Sequence, residues 1–232
     1  MAISLQKRQE HVGIVLKKRG VDKPPVMRVG FALDVSGSMA GMFRDGTVTE
    51  TFKRLLAIAS RFDDNGELDV WAFDAGSHEC PTATLADYDS DYVEKRLRPL
   101  VGGTTQYAPV LNAVLDHYYR GHTTRSGGLF GFFEQVDHRP AQGTHIPALC
   151  LFITDGINAD HEETLRLFDQ ACEYPLYWQC IGIGLSKNFA FLQDAAERMP
   201  NVGFINMNTL AVEDEELFEA VLSEELCSWV KR

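Results

Sequence analysis

Positive charge, cysteine and long apolar runs are all scarce in this chain, and each shortage closes off a class of function. Lys and Arg number 22 against 33 Asp and Glu, a formal net charge of −11. That balance disfavours phosphate backbones and anionic lipid, and suits a metal ion or a basic partner. The five cysteines, Cys80, Cys150, Cys172, Cys180 and Cys227, form an odd set without a C-x-x-C pair. They make neither a disulfide framework nor a zinc pattern, and a reducing cytoplasm is the compartment they imply. The opening "MAISLQKRQEHVGIVLKKRG" has too few consecutive apolar residues for a signal segment, and no later run approaches a membrane span.

What is present is 232 residues, 45% of them hydrophobic, enough to bury one large core. From residue 27 onward, β-branched and aromatic runs alternate with segments of helical period. This predicts an α/β fold of the Rossmann type, with a central, mostly parallel sheet and helices on both faces. Strands are predicted at 26–34, 67–74, 147–156, 176–184 and 202–208, with 78–85 demoted to a sheet edge by Pro81. Helices are predicted over 49–62 behind a Thr47/Glu50 capping box, from Pro109 to Gly121, from Asp160, from Ser186, and as one final helix from Glu213 to the end. The acidic start of that last helix reads as a solvated helix end, and Cys150 and Cys180 as small core residues.

Two stretches break the alternation. Residues 1–25 hold two strand-like pieces, "SLQKR" and "VGIVLKKRG", before a stiff "DKPP", and read as an extension to a domain spanning 26–232. Residues 122–146 are long for a helix-to-strand connection and read as an insertion, with "GGLFGFF" (127–133) as an amphipathic or partner-binding piece.

Ligands of an open parallel sheet bind beyond the carboxyl ends of its strands. "DVSGSM" follows the first strand and "TDG" the fourth, while "GGTTQYAP" (102–109) is a glycine turn that brings Thr104 or Thr105 to the same edge. Asp34, Ser36, Ser38, one of the two threonines and Asp155 would then converge. This all-oxygen set suits a hard cation such as Mg²⁺ or Mn²⁺. The histidines, at polar loops and poor helical spacings, suit local hydrogen bonding instead.

In that order, "DVSGSM", "GGTTQYAP" and "FITDG" resemble the metal-ion-dependent adhesion site of a von Willebrand factor A (vWA) domain. The chain is more closely similar to the bacterial tellurium-resistance TerF-type vWA domains, through "LDVSGSM", "TFKRLLAIASRFDDNGELDVWAF" and "GGTTQYAPV". The leading residues resemble the opening strands of TerD-type domains, but the acidic calcium-binding body of those domains is missing. The resemblance implies metal ligation by Asp34, Ser36, Ser38, Thr105 and Asp155. It favours Thr105 because Ala108 and Leu111 follow at the family's spacing. It also implies a non-enzymatic interaction module in a stress-response assembly, taking an acidic residue from a protein partner. The competing class is a Mg²⁺-dependent phosphohydrolase with Asp34 as nucleophile, but Ser36 stands where that chemistry needs a second carboxylate.

Overall fold

The computed structural model describes residues 3–63, 66–127, 134–139 and 146–231. Six strands form one sheet in the order β3-β2-β1-β6-β7-β8. They are β1 (Arg28–Asp34), β2 (Glu67–Phe73), β3 (Ser77–Thr84), β6 (Ala148–Thr154), β7 (Leu176–Ile183) and β8 (Val202–Met207). Every pairing is parallel except β2 with β3, which lies at the edge as Pro81 requires.

Both sheet faces are covered, which is why the inner strands read as unbroken apolar runs. On one face Phe31, Leu33, Leu151 and Ile181 meet α1 (Leu5–Lys18), α2 (Ala40–Arg44), α3 (Thr47–Phe62), α7 (Asp214–Val221) and α8 (Glu224–Val230). On the other, Ala32, Cys150, Phe152, Trp178 and Cys180 meet α4 (Ala108–Leu115), α5 (His161–Ala171) and α6 (Ala190–Arg198). Both strand cysteines are fully buried, free core residues. Gly30 is needed where Trp71 and Tyr118 close on β1, because a Cβ there would meet them at 3.0 and 3.1 Å. Among the described residues no helix is long and apolar enough to cross a membrane.

The strand-like reading of residues 1–25 is wrong: Leu5–Lys18 is an α-helix. The β-branched residues of "VGIVL" suggested a strand, but Arg8, Val12, Val15 and Leu16 are buried at helical spacing. Ser4 caps the start by accepting from Lys7 N. At the other end Gly20, at φ 75°, sends its N–H to Lys17 O at 3.0 Å, and Val21 N reaches Leu16 O at 2.9 Å. This is a Schellman ending, with buried Val21 closing over it. Helix α1 therefore packs into the main core rather than standing apart from it.

Buried charge holds α1 in place. Arg8, 1% exposed, donates to Asp214 Oδ2 at 2.9 Å, to Tyr88 Oη at 3.0 Å and to Glu50. Arg54 donates to Asp214 Oδ1 at 2.7 Å and to the carbonyls of Leu210 and Val212. Glu50 is thus an ion-pair partner, not half of a capping box, and Thr47 N bonds instead to Asp45 Oδ1. Asp214 is likewise a buried bridge rather than a solvated helix end. The expected single C-terminal helix is two, because Ser223 starts α8 by accepting from Leu226 N. The long connection after α4 folds in part as a separate antiparallel hairpin, β4 (His122–Gly127) with β5 (Glu134–Arg139). Residues 128–133 of "GGLFGFF" lie outside the described residues.

Candidate metal centre

Three loops meet at one edge of the sheet, the first leaving the carboxyl end of β1, the second the 102–107 turn that leads into α4 and the third leaving the carboxyl end of β6, and backbone bonds zip the first two together. Gly102 N donates to Val35 O at 2.8 Å and Gly37 N to Gly103 O at 3.4 Å. Gly103 has φ 73°, and a Cβ there would strike Asp74 Oδ2 at 2.8 Å, so the turn needs glycine on both counts. Asp74, just past β2, also fixes this loop by accepting from Gln106 N at its carbonyl, 2.8 Å away.

Asp34 ends β1 fully buried. Its Oδ1 accepts from Ser36 N at 2.8 Å, the Asx turn that an ordinary strand end would make. Its Oδ2 accepts from the Thr154 hydroxyl of β6 at 2.6 Å, which a simple turn does not require. Above it runs a chain of oxygens. Ser36 Oγ lies 3.1 Å from Ser38 Oγ, and Ser38 Oγ donates to Asp155 Oδ1 at 2.7 Å. Thr105 faces the third loop, with its Oγ1 2.9 Å from where a Gly156 Cβ would stand, whereas Thr104 is exposed. The structure thus gathers Asp34, Ser36, Ser38 and Asp155, and sets Thr105 against the loop that carries Asp155.

Three residues passed over in the sequence hold the second and third loops together. The Tyr107 hydroxyl donates to Gly156 O at 2.7 Å and sits 3.3 Å from Thr154 Oγ1. Asp160 does not cap its own helix α5. Its carboxylate instead accepts from Tyr107 N at 3.1 Å and Ala108 N at 2.7 Å, capping α4. Thr154 joins this frame to Asp34. The only sequence signal for Asp160 was its helix-start position, which pointed to the wrong helix.

Neither Asp34 nor Asp155 has an ion-pair partner among the described residues. Burial raises the Asp34 carboxyl above its usual range, the hydrogen bonds from Ser36 and Thr154 only partly oppose this, and the Asp155 charge adds to the rise. Burial likewise raises Asp155 against the pull of Ser38. The site therefore concentrates negative charge that nothing described neutralises.

The donor set fits a hard divalent cation. All five side chains offer oxygen, and adjacent ligands in an octahedral shell at about 2.1 Å would lie about 3.0 Å apart, close to the 3.1 Å between Ser36 Oγ and Ser38 Oγ. Gly156 leaves open the space beside Thr105 that a Cβ would fill. Among the described residues no three His, Cys, Asp or Glu side chains form a metal group, so hydroxyls must complete any shell here.

Comparison with known proteins gives concordant results. The family described as "vWA-TerF-like: vWA found in TerF C terminus" matches residues 26–137 and 130–232. An uncharacterised protein of Bacillus subtilis (strain 168), YcbR, is 32% identical over 231 residues, covering 96% of this chain and 84% of its own. Among solved structures, proximal thread matrix protein 1 from the mussel byssus, with a zinc-occupied MIDAS motif, aligns with a TM-score of 0.59 at 17% identity. That alignment covers 89% of this chain and 47% of the mussel protein, so the chain spans about half its length. An aerotolerance-related membrane protein from Bacteroides fragilis NCTC 9343 aligns with a TM-score of 0.57 at 15% identity, over 86% of this chain and 98% of that one. At such identities these two structures speak to the fold alone: the six-stranded sheet and its helices are those of a vWA domain.

Proposed function

The chain belongs to the vWA-TerF-like family, and from that premise we propose that it is a non-enzymatic interaction module holding a divalent cation, Mg²⁺ or Mn²⁺. The observation that carries this reading is the Ser36–Ser38–Asp155 chain of oxygens laid over buried Asp34. Ser36, Ser38 and Thr105 would bind as neutral ligands, Asp155 would accept a hydrogen bond from coordinated water, and buried Asp34, holding Ser36 N and the Thr154 hydroxyl, would balance the charge. Bound there, the cation would supply an electrophilic position for a carboxylate from a partner protein. The TerF association supports a part in a tellurium-resistance or stress-response assembly of a bacterium or phage, in the cytoplasm. The net charge of −11 argues against nucleic acid or anionic membrane as the partner.

The phosphohydrolase reading fares less well against the geometry. A nucleophilic Asp34 would have to present an oxygen to substrate, yet it is fully buried and both its oxygens already accept hydrogen bonds. Ser36 offers no proton-transfer group in place of the missing carboxylate.

Titration calorimetry with Mg²⁺ and Mn²⁺ tests the metal role directly. Ser38→Ala and Asp155→Ala should each weaken binding, and Asp34→Ala should weaken it more, because Asp34 also positions Ser36 and Thr154. Undiminished affinity in a variant removes that residue from the site.

A further inference from the structure

Resting on the metal reading above, we propose that the site recognises a protein segment in which the acidic residue is accompanied, within a few positions, by a large apolar side chain. Four large hydrophobic side chains are exposed among the described residues, and two of them flank this site. Ile157, 61% exposed, lies two residues beyond Asp155, and Leu185, 62% exposed, lies two beyond the end of β7. Strands β6 and β7 are parallel neighbours with Thr154 paired to Gly182, so the two loops leave the sheet at the same level, side by side. The helices that follow are joined by the His161 and Phe191 rings, which stack with centroids 4.3 Å apart and 15° between planes. The β6–β7 register thus brings Ile157 and Leu185, with the ring pair at the starts of the following helices, to the carboxylate edge, where they make up the proposed apolar shelf.

Charge complementarity identifies the occupant. Lys187, exposed two residues past Leu185, has no ion-pair partner among the described residues, although acidic groups outnumber basic ones in the chain by 33 to 22. The shelf therefore sets apolar surface and a positive charge beside the metal position, which matches a segment carrying both a carboxylate and an apolar side chain. One carboxylate on the cation would also be opposed by the −11 field. Burying Ile157 and Leu185 adds a contribution that salt does not screen, and it selects among acidic sequences where the metal alone would accept any.

A displayed random-peptide library, selected on the full chain with and without Mg²⁺, tests this. Sequences enriched in a Mg²⁺-dependent manner should pair Asp or Glu with Leu, Ile, Val or Phe within about three positions. On Ile157→Ser/Leu185→Ser the acidic preference should remain while the apolar preference disappears, and synthesised selected peptides should bind about tenfold more weakly. Thermal melts should show the double variant folded, and Mg²⁺ titration calorimetry should show its cation affinity unchanged. Acidic sequences without an apolar preference, the same preference on the double variant, or no enrichment on a protein that binds Mg²⁺ would each overturn the shelf while leaving the metal site standing. Failure of the wild-type protein to bind Mg²⁺ in the calorimetric control would overturn both.

Discussion

Thr154 shows how much of the site depends on one hydroxyl. It donates to Asp34 Oδ2 at 2.6 Å, and neither residue has exposed surface. Thr154→Val keeps the shape and removes the donor, leaving a buried carboxylate oxygen unmatched at a cost of about 1–3 kcal/mol. The urea midpoint should fall with an unchanged slope, and cation affinity should weaken in parallel; an unmoved midpoint would mean that Asp34 finds another donor. Gly156→Ala should separate the two effects, since its Cβ would press on Thr105 Oγ1 from 2.9 Å and disturb the ligand more than the core. The meeting of Asp34, Ser36, Ser38 and Asp155 was legible in the sequence because each follows the carboxyl end of a strand of one parallel sheet, whereas Thr105 was told from Thr104 only by the family resemblance. Thr154, Tyr107 and Asp160 were not legible, because their bonds reach across 120, 49 and 52 positions, and no local pattern encodes such partners.

At the scale of elements, the inner strands β1, β6 and β7 were legible because burial on both faces leaves them almost no polar residues. Helix α1 was misread because Val12, Ile14 and Val15 favour strands locally, and tertiary burial of one helical face overrode that preference. The Arg-Gly-Val stop at 19–21 was the available signal. What fastens α1 is Asp214, which takes Arg8 on one oxygen and Arg54 on the other. Burial alone would raise this carboxyl, but hydrogen bonds and charge from the two arginines outweigh it and hold the group below its ordinary range. A depressed acid stabilises the fold fully above its unfolded value, about 3.9, and loses that contribution as pH falls through its lower folded value. The urea stability of the wild type should therefore drop relative to Asp214→Asn as pH is lowered from 5 to 2, by the steeper proton uptake of the former. At neutral pH Asp214→Ala should cost about 3–5 kcal/mol, since it leaves two buried guanidinium groups without their shared partner. Parallel pH profiles for wild type and Asp214→Asn would show instead that the bridge carries no titration.

For the whole molecule, two sources of electrostatic strain can be told apart by how ions relieve them. The excess of 33 acidic over 22 basic residues is spread over the chain, and any salt screens it once the Debye length falls to about 8 Å near physiological ionic strength. Asp34 and Asp155 are different: burial raises both, no described cation faces them, and screening reaches fully buried Asp34 far less. A divalent ion held between the serines and these carboxylates would bind the folded chain and not the unfolded one, adding about 2.7 kcal/mol when its free concentration is one hundred times its Kd. Differential scanning calorimetry in NaCl, and in MgCl₂ at matched ionic strength, should therefore show a larger rise in Tm with Mg²⁺. Asp155→Asn should lose the excess and keep the part that NaCl also gives, because the substitution removes one site charge and leaves the rest of the surface unchanged. Equal shifts from the two salts in the wild type would assign the whole effect to screening and leave the carboxylate pair without a dedicated ion.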